Sequence, residues 1–257
     1  MKKTACLCST ALSILCVALT ACSTGQTLQP ATPAGTTTLP SGGVYKGTVS
    51  THANAILLML FDGTAYLFYG DAASGKSGVA GVVVANNGAQ SATGQFSSAT
   101  AQNYSLRMHT ASPVTFDANF SRAPAVTGAI TTKSAGAESV TFSAASDQML
   151  GAAPARATIA GLYSGRGGSM RGSTNAKLTV TDDGFLAGTT GIGCVFRGTV
   201  APHTGVNAYD VSITFGPAPC PQAGTTASGH AVLDGARLLA ALPGQDRSDA
   251  FLFDGTK

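Results

Sequence analysis

Tyr209-Asp210-Val211-Ser212-Ile213-Thr214-Phe215 alternates strictly between apolar and polar side chains. Successive side chains of a β-strand point to opposite faces, so a period of two predicts a strand with one buried and one wet face. Downstream, Ala231-Val232-Leu233-Asp234-Gly235-Ala236-Arg237-Leu238-Leu239 reads as a tight hairpin with Asp-Gly at its turn. Ala250-Phe251-Leu252-Phe253 reads as a closing strand. Strand candidates recur every ~8–12 residues without a long helical period, the pattern of β-sandwiches and small barrels. The 32 glycines and the abundance of Thr, Ser, Val and Ala agree with an all-β chain of many turns.

The same pattern occurs twice. Gly43-Val44-Tyr45-Lys46-Gly47 opens one half and Gly161-Leu162-Tyr163-Ser164-Gly165 the other. An apolar stretch and an Asp-Gly turn follow each, at Asp62-Gly63 and Asp183-Gly184, 17 and 20 residues after the tyrosine. A second apolar stretch, a glycine-rich loop and a segment read as alternating come next, Val79 to Ala85 in one half and Cys194 to Val200 in the other. We therefore expect an internal duplication: two tandem small antiparallel β-barrels or sandwiches, over residues 42–150 and 159–257. The segment 146–158, and 151–158 most narrowly, would link them. Tyr45 and Tyr163, at equivalent positions, are expected to be packing residues.

The amino terminus carries a different signal. Lys2 and Lys3 precede a run of about nine mostly apolar residues from Ala11 to Leu19, too short to span a bilayer but right for a secretory signal. Leu19-Thr20-Ala21-Cys22 then resembles the lipobox of bacterial lipoproteins, a resemblance confined to residues 1–23. It implies that residues 1–21 are removed and that Cys22 becomes a lipidated first residue, with palmitate among its chains. Two or three acyl chains make such an anchor durable where one does not. An ordinary secretory signal cut near Ala21 is the alternative. Ser23 after the cysteine, in place of Asp, resembles the signature for sorting to the outer membrane of a Gram-negative cell. Residues 22–41 hold three prolines and few core-forming side chains, and read as a disordered tether.

Processing would change the chemistry of the rest. Of six cysteines, Cys6, Cys8 and Cys16 leave with the signal and Cys22 takes lipid, so Cys194 and Cys220 remain. An isolated pair in an oxidising compartment is expected to form one disulfide, stabilising by about 3 kcal/mol on a chain-entropy model. A metal or redox role is the alternative, without a C-x-x-C to support it. Losing Lys2 and Lys3 reduces 15 basic residues to 13 against 12 acidic ones, net +1. Such a balance gives no footprint for nucleic acid.

One motif is to be refused. Gly70-Asp71-Ala72-Ala73-Ser74-Gly75-Lys76-Ser77 fits the P-loop pattern at every position. A P-loop requires a helix to begin at its Lys-Ser, whereas Gly78-Val79-Ala80-Gly81-Val82-Val83-Val84 follows, with poor helix propensity. We read a hairpin loop, with no nucleotide. His52, His109, His203 and His230 are scattered without metal-ligand spacing and read as solvated surface residues. No G-x-S-x-G elbow occurs, and no catalytic, cofactor or metal site is expected. Arg166-Gly167-Gly168-Ser169-Met170-Arg171 reads as a mobile basic hairpin loop, with a site for an anion or a partner as the alternative.

The expectation is a lipid-anchored envelope protein, not an enzyme, whose β-domains bind a protein or glycan. Two alternatives remain. An inhibitor or immunity lipoprotein directed at a secreted hydrolase would expose the pinned loop Gly216-Pro217-Ala218-Pro219-Cys220-Pro221. A lipocalin-like carrier would hold a small apolar ligand inside an open barrel.

Overall fold

Seventeen strands and one helical turn make up the computed structural model, which describes residues 42–70, 78–147 and 152–257. The first half contributes β1 (Gly43–Val49), β2 (Asn54–Met59), β3 (Ala65–Gly70), β4 (Val79–Ala85), β5 (Ala89–Gln90), β6 (Gln95–Ser105), β7 (Thr110–Asn119), β8 (Ala125–Thr132) and β9 (Ser139–Ser146). After α1 (Arg156–Ile159) the second half contributes β10 (Gly161–Ser169), β11 (Gly172–Val180), β12 (Phe185–Thr190), β13 (Val195–Pro202), β14 (Tyr209–Phe215), β15 (Thr226–Asp234), β16 (Arg237–Pro243) and β17 (Ala250–Thr256). Each half is a closed antiparallel barrel of eight strands. The first runs β4-β3-β2-β1-β9-β8-β7-β6 and closes by pairing β4 with β6, the short β5 extending the sheet beside β6. The second runs β10 to β17 in order and closes by pairing β10 with β17. The lipobox, Cys22 and the tether lie outside the described residues, as does most of the P-loop-like match.

The duplication has a physical basis in both barrels. Tyr45 and Tyr163 point into the two interiors, and the Tyr163 hydroxyl donates to the Ile159 carbonyl at 2.6 Å. Two residues on, Gly47 and Gly165 face the last strand of their own barrel. A Cβ at Gly47 would stand 1.9 Å from the Ser143 carbonyl oxygen, and one at Gly165 would stand 2.1 Å from that of Asp254. Neither position admits a side chain without moving a strand. The Asp-Gly turns are equivalent as well, with Gly63 at φ +82 and Gly184 at φ +87. Such a φ is open to glycine and strained for most other residues.

Both interiors are filled. In the second barrel Phe196, Phe215 and Phe251 meet one another at ring-centroid distances of 5.1–6.1 Å. In the first, Phe116 meets Phe96 and Phe142 at 6.0 and 5.4 Å. An eight-stranded barrel is just wide enough for side chains to occupy its interior. The lumen that a lipocalin-like carrier needs is therefore taken up by the protein itself. Just before β10, Ile159 of α1 joins the interior of the second barrel, and Tyr209 donates its hydroxyl hydrogen to the Ala155 carbonyl at 3.2 Å.

A third apolar core lies on the outer walls, between the barrels. Ile56, Leu58, Tyr66, Phe68, Val82 and Val84 from the first barrel share it with Val232, Leu239, Ala241, Ala250 and Leu252 from the second. The strands that contribute are buried on both faces. On β16, Leu238, Ala240 and Leu242 face the interior while Leu239 and Ala241 face the other barrel. Strand β14, which alternates, keeps its polar face away from any core. Polar contacts cross the same seam: Lys46 pairs with Asp234, the Val79 amide donates to Asp254 Oδ2 at 2.8 Å, and the Tyr104 hydroxyl donates to the Arg247 carbonyl at 3.0 Å.

Two sequence readings change here. Val79 to Ala85 behaves as a strand with two buried faces, because the joint core covers its outer side. The stretch Arg166 to Arg171 is no mobile loop. Residues up to Ser169 belong to β10, and the turn is held where Met170 enters the joint core and donates its amide to Asp249 Oδ1 at 2.8 Å.

Candidate functional site

Strands β14 and β15 pair so that Asp210 and His230 are direct cross-strand partners. Tyr209, Val211 and Ala231 fill the interior, so by alternation Asp210 and His230 project from the outer wall, side by side. His203 reaches the same spot from the loop between β13 and β14. That loop is tied down by the His203 amide donating to the Ala208 carbonyl at 2.8 Å, and by Val206 and Ala208 inserting into the joint core.

The result is a compact cluster. Asp210 Oδ1 stands 2.7 Å from His203 Nδ1 and 3.1 Å from His230 Nε2. The two imidazoles meet edge to face, centroids 5.3 Å apart. Tyr66, from the first barrel, places its hydroxyl 3.0 Å from His230 Nδ1. Both rings are mostly buried, with side-chain exposures of 21% for His203 and 17% for His230, while Asp210 is 52% exposed. Burial lowers the His230 pKa, opposed by the Asp210 carboxylate, so the ring is neutral at pH 7. A neutral ring satisfies both nitrogens when Tyr66 donates to Nδ1 and Nε2–H donates to Asp210. Burial also raises the Tyr66 pKa, with Asp62 adding to the effect, which keeps the phenol protonated.

The cluster opens onto a groove of about 650 Å³. Asp62, Asn86 and Asn87 line it from the first barrel, and Ser212 and Ser228 from the second. Its walls carry hydrogen-bonding groups of both kinds and a second carboxylate, suiting a polar ligand.

His203 and His230 are thus not the isolated surface residues that their spacing in the sequence suggests. His52 and His109 are, each exposed in a hairpin turn with positive φ. The cluster joins positions 7 and 20 residues apart. The alternation of β14 was a usable signal for Asp210 facing outward. The register with β15, which brings His230 opposite, was not readable.

Cys194 and Cys220 are joined by a disulfide with Cα atoms 4.4 Å apart. It pins the loop from Gly216 to Pro221 against β13, where the Gly216 amide donates to the Val195 carbonyl at 2.8 Å. Ile192 and Val195 stand exposed beside this loop, forming an apolar tip at one end of the second barrel. For the refused P-loop, residues 71–77 lie outside the described part. The chain resumes in β4, antiparallel to β3, where a P-loop would place a helix.

No family model matches the chain, and no curated protein matches it. Among solved structures it is similar to a "putative outer membrane protein" from Bacteroides fragilis, at 12% identity and a TM-score of 0.28, over 84% of this chain and 98% of that one. It is also similar to a single-residue mutant of the vaccine antigen transferrin binding protein B from Haemophilus parasuis, at 7% identity and a TM-score of 0.29, over 82% of this chain and 66% of that one.

Proposed function

We propose that the protein is a lipoprotein of the cell envelope, held on a membrane through lipid at Cys22, whose twin-barrel body is a non-catalytic binding module for a protein or glycan. The lipobox-like Leu19-Thr20-Ala21-Cys22 after Lys2-Lys3 carries the proposal. Ser23 supports an outer-membrane destination, and residues 23–41 would let the body stand off the surface. A body whose two barrels share a core presents its loops rigidly, which suits recognition. The disulfide-pinned, proline-rich tip with Ile192 and Val195 beside it supports a protein partner, since a fixed loop loses little entropy on binding. It equally suits the narrower reading of an inhibitor or immunity lipoprotein.

Radiolabelled palmitate should enter the wild-type chain and be absent from Cys22→Ser. Fractionation should place the wild type with outer membranes and the variant in the soluble fraction. Label retained by the variant would sink the anchor.

A further inference from the structure

We propose that His203, Asp210 and His230 bind one divalent first-row transition-metal ion, of which zinc is our choice, at the mouth of the groove between the two barrels. Three donors, two imidazole nitrogens and one carboxylate oxygen, lie within 4.8 Å of one another. Ligands around a tetrahedral zinc at ~2.0–2.1 Å stand about 3.3 Å apart. The 2.7 and 3.1 Å separations from Asp210 need to widen by about 0.6 and 0.2 Å, which its half-exposed side chain can supply. The two imidazole nitrogens, within 4.8 Å of each other, need to draw together at most by a modest ring rotation.

Four features favour a metal over a resting pair of hydrogen bonds. Among the described residues, Asp210 pairs with no lysine or arginine, so its charge has no permanent counter-ion. The scaffold is stiff: two ligands are cross-strand partners in a closed barrel, and the third sits on a loop anchored by Val206 and Ala208. The rear nitrogen of His230 is held by Tyr66, and ligating histidines characteristically use their second nitrogen in this way. On metal binding Nε2 gives up its hydrogen, Nδ1 carries one, and Tyr66 changes from donor to acceptor. Finally, three protein ligands leave a coordination position that opens onto the groove, where Asp62 adds negative potential.

The donor set selects the ion. Calcium and magnesium prefer oxygen ligands throughout, and copper(I) prefers sulfur, whereas imidazole with carboxylate suits zinc, nickel, copper(II) or iron(II). Because Tyr66 belongs to the first barrel and the ligands to the second, a bound ion would sit on the seam. A polar ligand in the groove could then complete its coordination. The proposal is independent of the lipid anchor.

The test uses the full chain, without a histidine tag, purified in detergent, stripped with chelator and titrated with zinc chloride against a chromophoric competitor. One zinc per chain should bind with micromolar or tighter affinity. His203→Ala and Asp210→Asn should each weaken it by more than about 100-fold. Tyr66→Phe, which touches only the rear nitrogen, should weaken it about 10-fold at unchanged stoichiometry. His52→Ala and His109→Ala should bind as the wild type does. Cobalt(II) in place of zinc should give visible absorption bands that Asp210→Asn abolishes, and far-UV circular dichroism should show that variant folded. Absence of binding at 100-fold excess zinc would overturn the proposal. So would unchanged affinity in both His203→Ala and Asp210→Asn, or loss of the site in either distant histidine variant.

Discussion

Truncating Leu239 to alanine distinguishes a joint core from two barrels that merely adjoin. Leu239 projects from the outer wall of the second barrel and is 1% exposed, because the first barrel covers it. On an isolated barrel this side chain would meet water, and its loss would change stability by no more than about 0.5 kcal/mol. Buried as it is, truncation forfeits the transfer energy of the lost carbons and leaves a cavity, together about 2–5 kcal/mol. Against a total stability of roughly 5–15 kcal/mol, that is a large fraction. With a urea m-value of about 2–3 kcal/mol/M, the midpoint should fall by about 1–2 M. Unfolding should be followed by far-UV circular dichroism and by tyrosine fluorescence, since the chain has six tyrosines and no tryptophan. Leu238→Ala, which empties the interior instead, should cost as much, and Val195→Ala, on the exposed tip, almost nothing. The wild type should unfold in one transition by both probes. A midpoint for Leu239→Ala equal to that of Val195→Ala, or two separated wild-type transitions, would refute the joint core.

Gly165→Ala and Gly47→Ala should each destabilise by about 1–3 kcal/mol in the same urea assay, because the new Cβ meets a neighbouring strand's carbonyl oxygen at 2.1 or 1.9 Å. Gly70→Ala, whose Cβ would find its nearest neighbours at 3.6 Å, is the control and should be close to neutral. Alkaline titration should show the buried phenols. Burial pushes the Tyr163 pKa up to about 12, and those of Tyr69, Tyr104 and Tyr209 upward as well. A raised folded-state pKa gives stability that is fully present below the unfolded value near 10 and is lost as pH rises from there through about 12. Melting temperature should therefore drop across that window, less steeply in Tyr163→Phe. Phenolate absorbance rising in full near pH 10 while the chain stays folded would contradict the packing.

The strands were legible where local chemistry fixes them. Tyr209 to Phe215 alternates and is β14, and Ala231 to Leu239 is the hairpin of β15 and β16, with Asp234 paired to Arg237 across a two-residue turn at Gly235-Ala236. The duplicated Gly-x-Tyr-x-Gly motif marked both barrels because its tyrosine fills an interior and its second glycine lies against the closing strand. The joint core was present in the sequence as a signal that went unused. Stretches such as Ile56 to Phe61 and Leu238 to Leu242 are apolar without alternation, which is how a strand covered on both faces reads. Reading Arg166 to Arg171 as a loop failed for a related reason: its glycines suggest freedom, but two of them serve close strand packing. A Cβ at Gly168 would stand 2.3 Å from the Gly172 carbonyl oxygen, and one at Gly167 2.9 Å from the Ala176 Cβ.

By itself the sequence determined the all-β class and the tandem repeat. Both depend on side-chain periodicity and turn chemistry, properties of neighbouring residues. The tertiary structure decided that the two barrels share a core, and that His203, Asp210 and His230 stand together with Tyr66 behind them. Cross-strand register and the docking of one barrel on the other set those contacts. Both are selected by the packing of many side chains at once, so no spacing along the chain records them.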